Sequence, residues 1–134
     1  MTRFKTAVPV IPVSDIDKLA RFYAEVAGFE IDYAEADYAI LARDEVELHL
    51  WAATDESWKL REPGKPVESG AESFLAGTAS CRVRVDDIES LYAAMQRAEV
   101  VHPNGKLEDK PYGLREFSIL DPDNNLMVFF QPSS

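Results

Sequence analysis

The pattern of hydrophobic and polar positions in this chain occurs twice. Val13-Ser14-Asp15-Ile16-Asp17-Lys18-Leu19 returns 72 residues later as Val85-Asp86-Asp87-Ile88-Glu89-Ser90-Leu91, with Val, Asp, Ile, an acid and Leu at matching places. Each copy follows a short extended run and opens a stretch of helical period. Ile16, Leu19, Ala20, Tyr23, Val26 and Ala27 share one face of a helix predicted over Ile16–Ala27, and Gly28 is a natural stop. The second helix, over Asp87–Ala98, presents Ile88, Leu91, Tyr92, Met95 and Ala98. Ser14 and Asp86 are placed to cap the two helices, each with an acid three residues on, at Asp17 and Glu89.

After each helix the period changes from helical to alternating. Extended runs are expected at Phe29–Tyr33, Tyr38–Ala42 and Val46–Trp51, then at Arg115–Leu120 and Leu126–Gln131. The order is βαβββ twice: an α+β chain with one domain over 1–134, modules at 3–52 and 78–131 and a crossover at 53–77. Two such modules bury their helices outside and leave the other faces of two curved mixed sheets around a shared hollow. A single doubly wound parallel sheet is the arrangement this excludes.

Alternation then assigns the side chains. Cys81, Val83 and Val85 pack outward, so Ser80, Arg82 and Arg84 face the hollow. Leu48 and Leu50 go to the helix, and Glu47, His49 and Trp51 face inward; Phe117 and Ile119 pack outward, and Glu116 and Ser118 point in. The crossover carries Pro63, Gly64, Pro66 and Gly70 and is long for a connection, serving as a linker or a lid; Trp58 or Phe74 is expected to pack over the hollow or on another subunit.

Composition narrows the function. The 134 residues carry 14 Lys+Arg against 24 Asp+Glu, a net charge of −10, which repels nucleic acid and anionic lipid. No apolar run reaches the roughly 20 residues of a membrane span, and MTRFKTAVPV lacks the apolar stretch of a signal peptide, so a cytoplasmic protein is expected. A single cysteine, Cys81, excludes a disulfide scaffold and a thiolate zinc site and reads as a reduced, buried small hydrophobe. His102, before Pro103 and Asn104, reads as a solvated loop residue.

Several stretches then resemble one family. AVPV at Ala7–Val10, Phe22, Tyr23, Gly28 and Phe29, the run DYAEADYA from Asp32 to Ala39, PYGLREF at Pro111–Phe117 and DPDNN at Asp121–Asn125 are similar to the vicinal oxygen chelate, or glyoxalase-fold, superfamily, and AVPV and REF to its bleomycin-resistance branch. Catalytic members hold a divalent metal with His and Glu side chains at equivalent places in the two halves. At those places this chain has Val8, Ser80 and Val128, with Glu47 alone able to ligate. The resemblance therefore implies no metal and no cofactor, and a Glu47–His49–Glu116 metal site is a minor alternative.

The bleomycin-resistance branch implies a homodimer that sequesters, in clefts at the subunit interface, a flat aromatic drug with a cationic tail. Tyr33, Tyr38 and Tyr112 occupy matching segments, with Asp32, Glu35 and Asp37 beside two of them. The expected ligand-binding set is Asp32, Tyr33, Tyr38, Glu47, His49, Trp51, Arg82, Arg84, Tyr112 and Glu116. Arg82 departs from the branch, which has a tryptophan there, and together with Arg84 favours an anion locally. The alternative function is a lyase, isomerase or dioxygenase of the same fold acting on a small substrate, anionic if the arginines set the preference, with Glu47, His49 or Glu116 as acid or base. A sensor or carrier for an endogenous small molecule or a partner protein is a third. Pro9 and Pro12 lack amide protons and suit a sheet edge; exchange of the N-terminal strand between subunits, hinged near Pro9, is implied by the resemblance.

Overall fold

The computed structural model describes residues 1–53, 62–64, 66 and 75–133. Trp58 and Phe74, and the packing expected of them, lie outside the described residues.

Two four-stranded sheets each carry one helix. The first half runs β1 (Val10–Val13), α1 (Ile16–Glu25), β2 (Glu30–Ala34), β3 (Tyr38–Arg43) and β4 (Val46–Ala52), and its sheet order is β1-β4-β3-β2. The second runs β5 (Ser80–Arg84), α2 (Ile88–Arg97), β6 (Glu108–Asp109), β7 (Leu114–Leu120) and β8 (Leu126–Pro132), in the order β5-β8-β7-β6. In each, the strand before the helix runs parallel to the last strand and the other pairs are antiparallel. The two helices start and stop at positions 72 residues apart, the offset of the sequence repeat. The short strand β6 had no signature in the sequence, because two exposed acids carry no alternation.

The core lies between each helix and its sheet and joins both halves in one cluster. Ile16, Leu19, Ala20 and Tyr23 of α1 press on Leu41, Leu48 and Leu50, and Ile88 and Met95 of α2 join Phe117, Ile119 and Phe129, all buried. Each fully buried Leu or Ile contributes roughly 1.5–3 kcal/mol, so the helix-side faces supply most of the driving force. Gly28 ends the first helical stretch at φ 74°, where the Arg43 guanidinium lies over it and donates to the Ala27 carbonyl at 2.7 Å.

Several local expectations are corrected. Asp15, not Ser14, caps α1 by accepting from the Lys18 amide at 3.1 Å. Ser14 instead turns to the other half, donating its amide and hydroxyl to the Asp123 carboxylate at 2.7 Å each. Asp87, not Asp86, is the N-cap of α2; it sits in the left-handed region (φ 49°) and makes no side-chain cap bond, while the Ile88 amide donates to Gln131 Oε1. Ala98, expected in the buried stripe, is the exposed C-cap of α2. Residues 3–9, assigned by sequence to the first module, form no strand: β1 begins at Val10, and residues 1–7 are exposed, Phe4 almost completely. Pro9 still offers its carbonyl to the His49 amide, but it has no N–H to continue the ladder.

The halves meet through the turn between β7 and β8. The Asp121 carboxylate, buried, accepts from the Tyr23 hydroxyl at 2.8 Å and from the Asn125 side chain at 3.0 Å. Asn125, fully buried, also donates to the Pro12 carbonyl and accepts from the Ala79 amide. This is the use made of the DPDNN segment.

Candidate functional site

The faces turned away from the helices hold the candidate site. On the first sheet, the register places Val10, His49, Ile40 and Tyr33 in one row and Pro12, Trp51 and Tyr38 in the next, with Glu47 beside Ala42. Tyr33 reaches this face because β2 contains a bulge: Ile31 pairs with Leu41 but Tyr33 pairs with Ile40, so Asp32 is the extra residue. Without it, strict alternation would turn Tyr33 the other way. Asp32 is exposed, and its side chain makes no hydrogen bond among the described residues. Tyr33 stands about half exposed and donates to Glu35 at 2.7 Å, which raises its pKa above the ordinary value.

At the centre is a chain of three side chains. His49 Nε2 lies 2.8 Å from Glu47 Oε2, and the Tyr38 hydroxyl meets His49 Nδ1. With Glu47 ionised, it accepts from Nε2–H, leaving Nδ1 to accept from Tyr38. The Tyr38 ring meets His49 edge-on at 5.2 Å and Trp51 edge-on at 5.4 Å. Burial, and then the Glu47 charge, push the Tyr38 pKa up, so the hydroxyl stays protonated.

The second sheet offers a different face. Arg82, Val128 and Ser118 form one row, and Arg84, Phe130, Glu116 and Glu108 the next. Glu116, 8% exposed, accepts from Arg82 at 2.8 Å and from the Tyr112 hydroxyl at 2.6 Å. Burial disfavours its charge, but the hydrogen bonds from Tyr112 and Arg82 prevail and hold the carboxyl below its ordinary pKa. The Arg82 guanidinium carbon lies 4.9 Å from the Phe130 ring centre. Tyr112, mostly exposed, stands in the turn between Lys110 and Gly113, as its loop setting in the sequence implied. Lys110 pairs with Glu108 nearby.

The predicted residues thus come together as two groups, one per sheet, and no hydrogen bond or ion pair among the described residues joins them. A cavity of about 990 Å³ opens between the β3–β4 turn and the start of α2, and one of about 410 Å³ beside the start of α1. Of the predicted residues, Arg84 alone lines either. Phe130 and Ile40 were missed by sequence reasoning. Alternation against buried Phe129 and Leu41 was the available signal.

Among the described residues, no three His, Cys, Asp or Glu side chains converge on a point that could hold a metal. Glu116 belongs to a different sheet from Glu47 and His49, and its oxygens are taken, so the Glu47–His49–Glu116 alternative is set aside. Val8, Ser80 and Val128 supply no carboxylate or imidazole, and the residues present do not fit the divalent metal of catalytic relatives. Cys81 is half-buried and free, its thiol pKa raised by burial. No helix among the described residues is long and apolar enough to cross a membrane.

Comparison with known proteins agrees with this architecture. The bleomycin resistance protein of Geobacillus stearothermophilus is 46% identical over 125 residues, 93% of this chain and 95% of the relative. Among solved structures, the bleomycin-binding protein of bleomycin-producing Streptomyces verticillus, in complex with copper(II)-bleomycin, superposes with a TM-score of 0.71 at 26% identity, covering 96% of this chain and 97% of that one. The bleomycin resistance determinant encoded on transposon Tn5 gives 0.71 and 26%, over 98% of this chain and 100% of that one. A family model matches residues 5–129, and the chain belongs to the Glyoxalase/Bleomycin resistance protein/Dioxygenase superfamily.

Proposed function

We propose that this protein confers bleomycin resistance by binding the drug and sequestering it unaltered, without a metal of its own. The observation that carries the reading is the first sheet's open face. Three aromatic side chains, Tyr33, Tyr38 and Trp51, stand there with the Glu47 carboxylate, supplying stacking surface and an anion for a cationic tail. A net charge of −10 adds long-range attraction for a cation. Calorimetric titration with metal-free bleomycin tests it: one drug per cleft is expected, weakened by salt, and no heat at micromolar protein sinks it.

The working form is a homodimer in the cytoplasm. The exposed residues 1–7 bring Phe4 into solvent, an arrangement suited to contact with a second subunit, and exchange of this segment would hinge near Pro9. A monomer by sedimentation at micromolar concentration argues against interface clefts.

A second reading, an enzyme, draws on the Tyr38–His49–Glu47 chain, which has the form of a proton relay. Mass spectrometry of bleomycin recovered after incubation separates the two: sequestration returns the drug at unchanged mass.

A further inference from the structure

Arg82 was expected to recruit an anion, yet its surroundings answer its charge. Glu116 pairs with it at 2.8 Å, and Tyr112 fixes the other Glu116 oxygen at 2.6 Å, so the carboxylate cannot readily turn away. Of the neighbouring cations, Lys110 is paired with Glu108, and Arg84, in the row of Phe130, lines the cavity by the start of α2. One side of the guanidinium lies over Phe130, and the Arg82 side chain keeps 46% of its surface in solvent. A guanidinium held this way is a flat, weakly hydrated plate whose charge is largely cancelled. It gains little from a ligand carboxylate, because Glu116 already occupies that partnership, but it can stack on a planar ring.

We propose that Arg82, laid over Phe130 and charge-masked by Glu116, is a stacking platform that selects a planar, uncharged heteroaromatic ring and discriminates against anions. Glu116 is the positioning residue, with Tyr112 as its brace. The inference rests on the drug-binding reading only for which ring is bound; the preference for a neutral ring over its anionic counterpart stands on the Arg82 site itself.

The test uses the full chain and a matched pair of probes, a bithiazole carboxylic acid and its primary amide, followed by chemical-shift titration, with metal-free bleomycin alongside. The wild-type protein is expected to take the amide more tightly than the carboxylate. Arg82→Lys keeps the charge and loses the plane, and is expected to weaken amide and bleomycin binding about tenfold, equivalent to about 1.4 kcal/mol. Arg82→Trp keeps a plane and is expected to restore it. Glu116→Gln unmasks the charge and is expected to reverse the preference toward the carboxylate, a gain that a purely structural role for Glu116 would not produce. The platform is overturned if neither probe binds, if the wild type prefers the carboxylate, or if Arg82→Lys binds the amide as tightly as wild type. Amide binding at the Arg82 site with no bleomycin binding would retain the platform and overturn the drug-binding reading instead.

Discussion

The two sheets share one topology and one offset, but their open faces have little chemistry in common. The first is aromatic and carries a hydrogen-bonded Tyr38–His49–Glu47 chain; the second is built on the Arg82–Glu116 ion pair, braced by Tyr112 and backed by Phe130. Their helix-side faces, by contrast, are both close-packed apolar surfaces. A duplicated βαβββ unit must keep the side that buries its helix, because a lost contact there costs several kcal/mol. The uncovered side has no such constraint and is where two copies of one fold can acquire different recognition chemistry.

Breaking the joint between the halves should have the largest effect. Asn125→Ala removes a fully buried amide and strands the Pro12 carbonyl and the Ala79 amide, so a loss of about 3 kcal/mol is expected by urea denaturation, still in one transition. Two separated transitions would mean that the halves fold as independent units.

Tyr23→Phe probes the same joint from the first half, at about 1–2 kcal/mol. It also carries a pH signature. Burial first, then the Asp121 charge, raises the Tyr23 pKa far above the ordinary value of about 10, so the folded protein keeps the proton that the unfolded chain releases. That contribution is complete below about pH 10 and declines as pH rises beyond it. Wild type should lose stability in alkali more steeply than Tyr23→Phe.

The faces can be compared directly by ligand binding. Trp51→Ala on the first sheet and Tyr112→Ala beside the second are each expected to weaken bleomycin about tenfold, or 1.4 kcal/mol, by calorimetry. Additive losses in the double variant would mark the faces as independent subsites, and an effect confined to one would identify the face that holds the ring system.

The smallest effects separate the helix starts. Asp15→Ala should cost about 1 kcal/mol, because Asp15 caps α1. Asp87 makes no cap bond and sits at positive φ, so Asp87→Gly trades relief of left-handed strain of about 1 kcal/mol against the entropy that glycine adds to the unfolded chain, and little net change is expected in thermal denaturation.

Periodicity made the architecture legible: the repeated Val-x-Asp-Ile-acid-x-Leu segment located both helices, and alternation sorted Leu48, Leu50, Phe117 and Ile119 from Glu47, His49 and Glu116. What stayed hidden depended on partners far along the chain. Ser14 looked like a cap because nothing local shows that Asp123 will take its hydroxyl. The bulge at Asp32 leaves no mark in composition, yet it decides which way Tyr33 faces. Arg82 looked like an anion receptor because its charge is visible in sequence and its pairing with Glu116 is not.

The turn that joins the halves makes them non-interchangeable. The β7–β8 turn is the five-residue Asp121–Asn125 plug, whereas its counterpart between β3 and β4 is the tight Asp44–Glu45 turn, with Asp44 at φ 52°. A designer who built a symmetric protein from two copies of the first half would keep both helix-side cores and lose the lock, leaving the Tyr23 hydroxyl and the Pro12 carbonyl of each copy without the partners they have here. Two copies of the second half would carry two plugs and no Tyr23 socket, since Met95 stands at the position 72 residues after Tyr23. Plug and socket make the two repeats complementary rather than equivalent, each tied to its mate.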